Sequence, residues 1–185
     1  MNSFRPTARN AIVDAGFTIF NRDPSASLAQ VAELAGVGRA TLHRHFSSRA
    51  DLLSALSQIA IKEMDDAVEE ACSGLTSYGE AMRVSLDVLI PLGDRYGFLS
   101  LDAVEHDPDL QCEFTRQRQE TEEMVAGAQD EGLFDPAVPT AWIVQAYEYL
   151  LYAAWESVKA EETTRQQASD LAWQTLTSGL GGNAK

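Results

Sequence analysis

Apolar positions recur at helical spacing along most of the chain, and no stretch alternates apolar and polar residues as a half-buried strand would. Ala8, Ala11, Ile12, Ala15, Ile19 and Phe20 define a first helix over 6–22, with Pro6 suited to its first turn and Asn21-Arg22-Asp23-Pro24 ending it. Leu28, Val31, Ala32 and Ala35 trace a second helix, and Ser27 with Gln30 has the spacing of a capping box at its start. Gly36-Val37-Gly38 interrupts the pattern with residues fit for a left-handed or otherwise tight turn. In the short helix that follows, 39–46, only Leu42 and Phe46 need a core; the rest are mostly cations, imidazoles and a hydroxyl. Two helices, a three-residue turn and a polar second helix describe a helix-turn-helix, and the first helix closes a three-helix head.

Beyond Ser47-Ser48, Leu52, Leu53, Leu56, Ile59, Ala60, Met64, Ala67, Val68 and Ala71 mark one long helix over 49–72. At ~1.5 Å per residue it spans roughly 35 Å, enough to reach from a head into a second domain. Helices follow over 76–91, 95–106, 109–131, 139–160 and 163–179, before a weak tail at 181–185. The helix over 139–160 is apolar nearly all round, through Trp142, Tyr149, Tyr152 and Trp155 among others, so it needs cover nearly all round. In a chain this small its own core covers one side, and a second copy supplies the other. Ala168, Leu171, Ala172, Thr175 and Leu176 of the last helix are expected to join it in a symmetric four-helix interface. The expected fold is all-α: a helix-turn-helix head over 1–47 and a helical body over 48–185, joined by the long helix.

The composition, 45% hydrophobic with a mean hydropathy of −0.19, describes a folded domain and not a disordered chain. No apolar run approaches a membrane span, and the opening MNSFRPTARN lacks a signal peptide's apolar core, so a cytoplasmic location is expected. Cys72 and Cys112 read as ordinary thiols in that compartment. A net charge of −14 looks wrong for a nucleic-acid binder until it is divided. Residues 1–50 hold six arginines against Asp14, Asp23 and Glu33, a net +3, while the remaining 8 basic and 25 acidic residues give −17. A polyanion is attracted at one end and repelled elsewhere.

The candidate DNA-binding residues are Ser27, Gly38, Arg39, Thr41, His43, Arg44, His45 and Arg49. Arg39 is the expected base reader, because a guanidinium fork fits guanine O6 and N7, with ~1–3 kcal/mol of discrimination for a good bidentate pair. Thr41 and His43 are placed to hold phosphates, which position without specifying. Ser27, at a helix start, and Arg49, at the next one, are candidates for backbone oxygens. His45, beside Phe46, either joins them or packs within the head. Arg5 and Arg9 reach a flanking phosphate or minor groove, or form a plain solvated surface. Nothing points to an enzyme: no catalytic residues, metal ligands or cofactor are expected, since there is no Ser-His-Asp arrangement, Gly-rich phosphate loop or clustered Cys/His spacing. The adjacent Glu105, His106 and Asp107 cannot all converge on one ion from a helix.

Thr41, Leu42, His45, Phe46, Arg49 and Leu52, following the glycine turn, resemble the signature of the TetR-type transcriptional regulators; Gly38 departs from a frequent Ser and His43 from the usual Tyr. That replacement shortens the reach to a phosphate and puts an imidazole where a phenol hydroxyl is usual. The resemblance implies a homodimer joined through its last two long helices, bound to a pseudo-palindromic operator in double-stranded DNA. It also implies a repressor released by a small-molecule effector held in the body. Met82, Leu86, Phe98, Leu101, Phe114, Arg118, Met124, Trp142 and Tyr149 are the candidates to line such a pocket, each with ordinary core or surface as its alternative. The rival function is a helical dimer whose head has lost DNA and serves as a protein-interaction module.

Overall fold

The computed structural model describes residues 7–93, 95, 99 and 107–180, and every regular element among them is a helix. In order these are α1 (Ala8–Arg22), α2 (Leu28–Leu34), α3 (Arg39–His45), α4 (Arg49–Cys72) and α5 (Tyr78–Leu89), the last extended by a 3-10 turn at Ile90–Leu92. After them come α6 (Pro108–Asp130), α7 (Thr140–Lys159) and α8 (Arg165–Leu180). Arg5, Pro6, Phe98, Leu101, Glu105, His106 and most of the expected helix over 95–106 lie outside the described residues. Among the described residues, no helix is long and apolar enough to cross a membrane.

Packing divides the chain into two units, the described residues of Met1–Lys62 with Asp94–Glu113, and those of Glu63–Gly93 with Phe114–Lys185. The division falls inside α4 and not at residue 47, because Leu52, Leu53, Leu56 and Ala60 on its first half are buried with the head.

In the first unit, α1, α2 and α3 pack pairwise. Thr7 Oγ1 starts α1 by accepting from the Asn10 amide at 3.3 Å. The helix buries Ile12, Val13, Ala15, Gly16, Phe17 and Phe20, whereas Ala8, Ala11 and Ile19 are only half-buried. The buried face is thus turned toward Val13, Gly16 and Phe17 relative to the expected stripe. A Cβ on Gly16 would stand 2.8 Å from Leu56 Cδ1, so any larger residue there would push the Leu56 side chain aside where α1 meets α4.

In the second unit, α7 and α8 lie along each other and α8 also packs on α5. Tyr147 Oη donates to the Met82 carbonyl at 3.2 Å and Trp155 Nε1 to the Leu89 carbonyl at 3.3 Å, so both buried aromatics have their polar tips satisfied. Ala168, Ala172 and Leu176 of α8 are buried within this unit, while Leu171 and Thr175 point outward. Of the five α8 residues expected at a symmetric interface, Ala168, Ala172 and Leu176 are therefore corrected to this unit's own core. Asp65 on α4 accepts from Arg116 and from Gln117 Nε2 (2.8 Å), joining α4 to α6 inside the unit.

The start of α5 is closed from far along the chain. Glu131 Oε1 accepts from the Tyr78 amide at 2.8 Å, and its Oε2 from the Gly79 amide at 3.0 Å and the Ser77 hydroxyl at 2.9 Å. The Gly79 and then the Tyr78 amide bonds, with the Ser77 hydroxyl adding less, hold this carboxyl below its ordinary range.

Candidate nucleic-acid interface

Local bonds fix each part of the helix-turn-helix. Ser27 Oγ accepts from the Gln30 amide at 3.4 Å while Gln30 Oε1 accepts from the Ser27 amide at 2.8 Å, the reciprocal pair the spacing predicts. At the other end of α2, the Val37 amide donates to the Ala32 carbonyl (3.0 Å) and the Gly36 amide to the Glu33 carbonyl (3.1 Å). This closure needs a left-handed residue, and Gly36 supplies it at φ +66°. Gly38 is different: at φ −70° it has ordinary backbone, and it starts α3 with no side-chain cap.

Leu42 and Phe46 are buried, so at ~100° per residue Ala40, Thr41, His43 and Arg44 occupy the side of α3 turned away from them. Arg44 Nη2 donates to Thr41 Oγ1 at 3.1 Å, laying the guanidinium across this face. Arg39 and His45 are both exposed: Arg39 lies on the Leu42–Phe46 stripe at the start of the helix and His45 beside that stripe at its end, which places the His45 imidazole outside the head's core. Ala40 was missed by an inventory of polar side chains. It is exposed four residues before Arg44, and a methyl at that place has the chemistry to meet a thymine methyl. Its position opposite Leu42 and Phe46 was the available signal.

Nearby carboxylates are engaged elsewhere. Asp51 accepts from the Ser47 amide at 2.7 Å, and the Ser25 hydroxyl and amide hold the Asp23 carboxyl below its usual range. Arg9 is exposed with its guanidinium 5.5 Å from the Phe46 ring centroid. Arg49 departs from expectation: it is half-buried and donates to the carbonyls of Pro24 and Ala26, the latter at 3.2 Å. Its Nε and Nη2 edge is thereby turned to the protein's own backbone.

The pocket candidates separate just as clearly. Met82 and Leu86 are fully buried, and Phe114 and Met124 half-buried, all within the second unit. Arg118, Trp142 and Tyr149 are corrected: Arg118 is exposed and pairs with Glu122 one turn on at 3.3 Å, while Trp142 and Tyr149 are 61% and 72% exposed. The inward side of α7 belongs to Ile143, Val144, Tyr147, Leu151, Ala154 and Trp155, which leaves Trp142 and Tyr149 on the outer stripe with Tyr152.

Comparison with known proteins agrees with this geometry. Residues 12–56, from the buried Ile12 to the buried Leu56, match the family described as bacterial regulatory proteins, tetR family. The chain is 30% identical over 177 residues to the HTH-type transcriptional repressor LfrR of Mycolicibacterium smegmatis, covering 95% of this chain and 92% of that one. The crystal structure of LfrR from Mycobacterium smegmatis in complex with proflavine aligns with a TM-score of 0.77 at 28% identity, over 94% of this chain and 96% of that one. The fatty acid degradation regulator FadR from Bacillus halodurans shares the fold, with a TM-score of 0.74 at 16% identity over 98% of this chain and 100% of that one. A helix-turn-helix with a cationic outer face, continued into a helical body, thus places the chain in the TetR family of DNA-binding transcriptional regulators, which act as dimers on operator DNA.

Proposed function

We propose that the protein is a homodimeric repressor that lays one α3 in the major groove of each half of a pseudo-palindromic operator. The outward face of α3 carries this reading. It offers Thr41, His43 and Arg44 to phosphates and base edges and nothing apolar larger than the Ala40 methyl. A head serving as a protein-interaction module would be expected to show a cluster of apolar or aromatic anchors, whereas α3 exposes none and the large apolar side chain exposed on the described head is Leu34 of α2.

Two heads must reach half-sites about 34–36 Å apart, which requires a dimer. The exposed Trp142, Tyr149 and Tyr152 of α7, with Leu171 of α8, are the surface that a second copy covers. The effector is a small molecule held in the body, a reading supported by the complex of the relative LfrR with proflavine. Met82, Leu86, Phe114 and Met124 are the inward or half-inward side chains left to meet it. A ligand favouring the body conformation in which the heads are mis-spaced releases DNA, and DNA weakens that ligand by the same factor.

The test uses the duplex that wild-type dimer selects from a random-sequence pool, titrated over a range of salt. Affinity is expected to fall steeply with salt, and Arg44→Ala to weaken binding about tenfold and flatten the slope by about 0.9 per head. A folded dimer that selects no sequence overturns the reading.

A further inference from the structure

We propose that Arg49 sets the reading helices for DNA without touching DNA itself. The inference rests on the DNA-reading role of the head and assigns within it a positioning residue. A cation at the first residue of α4 meets the unfavourable end of a helix dipole, so its location needs another reason.

That reason lies in the loop before α2. Residues 23–27 link two helices, and the carbonyls of Pro24 and Ala26 accept from the Arg49 guanidinium, Ala26 from Nε at 3.2 Å and Pro24 from Nη2. The same guanidinium lies 5.0 Å from the centroid of the Phe20 ring, at the end of α1. Within the loop, Asp23 accepts from the Ser25 amide at 2.9 Å and the Ser25 hydroxyl at 2.6 Å, and the Ala26 amide donates to the Asp23 carbonyl at 3.0 Å. Its turn is therefore closed by its own groups, while two carbonyls are left for the fork.

The next residue is Ser27, the cap of α2, and α2 carries α3 through the Gly36 turn. One side chain thus joins the first turn of α4, the end of α1 and the start of the reading pair. Lysine keeps the charge but has no planar fork to serve two carbonyls at once. The phosphate role expected of this cation and the brace role seen here make opposite demands on one group.

The experiment compares full-length wild-type, Arg49→Lys and Arg49→Gln dimers by two measurements. Amide exchange in DNA-free protein is followed over residues 26–34. Affinity per folded dimer is measured for the duplex selected by wild type and for a scrambled duplex, across salt. In both variants exchange over 26–34 is expected to quicken about tenfold as the charge-assisted bonds weaken. For Arg49→Lys the selected duplex is expected to bind about tenfold more weakly, with the scrambled duplex and the salt slope unchanged. For Arg49→Gln, which removes the charge, a slope flatter by about 0.9 per head with unchanged exchange makes Arg49 a phosphate contact and overturns the proposal. A lower melting temperature with unchanged affinity per folded dimer leaves only a structural role and also overturns it. If wild type prefers no sequence, the repressor reading falls first, and the proposal with it.

Discussion

The two units turn opposite chemistries outward from the same kind of helix. Helix α3 buries Leu42 and Phe46 and exposes His43, Arg44 and His45, groups that water solvates well. Helix α7 buries six residues yet still exposes Trp142, Tyr149 and Tyr152, whose rings gain from leaving water. The head surface is at rest alone and gains a partner through charge. The body surface is apolar and stands to gain from cover by another apolar face. One molecule is thus suited to two partners, a polyanion and its own copy, with little overlap between their demands.

The largest effect that breaks this contrast comes from the body. Replacing Trp142 and Tyr149 together by Ala is expected to raise the dimer dissociation constant at least about a thousandfold, since a two-fold interface loses each ring twice and every such anchor contributes at least about 1 kcal/mol. Sedimentation velocity checks it, with circular dichroism unchanged for the separated chains; a dimer that survives at nanomolar concentration shows the interface lies elsewhere. A change inside the head comes next. Gly16→Val drives its Cβ against Leu56 and is expected to cost about 1–3 kcal/mol of head stability, read as an earlier melting transition with dimerisation retained.

The smallest effect is one of pH and sharpens the comparison. The amides of Gly79 and Tyr78 hold the Glu131 carboxyl below the usual glutamate value of 4.5. A carboxyl depressed in the folded state adds stability above its unfolded value and loses it as the pH falls through the lowered one. The melting temperature of wild type is therefore expected to drop on acidification below about 4.5, and that of Glu131→Gln to be lower at neutrality and flatter across the same range. Equal pH profiles for the two proteins would remove the remote cap from the account.

What could be read from the chain before folding was local. The Ser27–Gln30 box, the Gly36 turn and the polar face of α3 involve partners within about five residues, where periodicity and turn chemistry are informative. The backbone partners of Arg49 lie 23 and 25 residues away and left no trace in the sequence, where a free cation and a braced one look alike. For the same reason Glu131 gave no sign of capping a helix that starts 53 residues earlier. On α8, alanines count as apolar on any face, so spacing alone did not show that Ala168 and Ala172 turn inward while Leu171 turns out. Trp142 and Tyr149 failed as pocket candidates because bulk and polarity are the same for a ring in a cavity and a ring on a surface.

The remote carboxylate also imposes an order on synthesis. The reading pair has its start signal as soon as Gln30 follows Ser27. The Tyr78 and Gly79 amides at the start of α5 must wait for the 53 residues from Tyr78 to Glu131, roughly 3–10 s at ribosomal speeds of about 5–20 residues per second. A nascent chain therefore has the means to shape its DNA-reading tip while α5 has only its local cap, Ser77 accepting from the Glu80 amide at 3.2 Å, and a stall before residue 131 leaves the Tyr78 and Gly79 amides without their carboxylate.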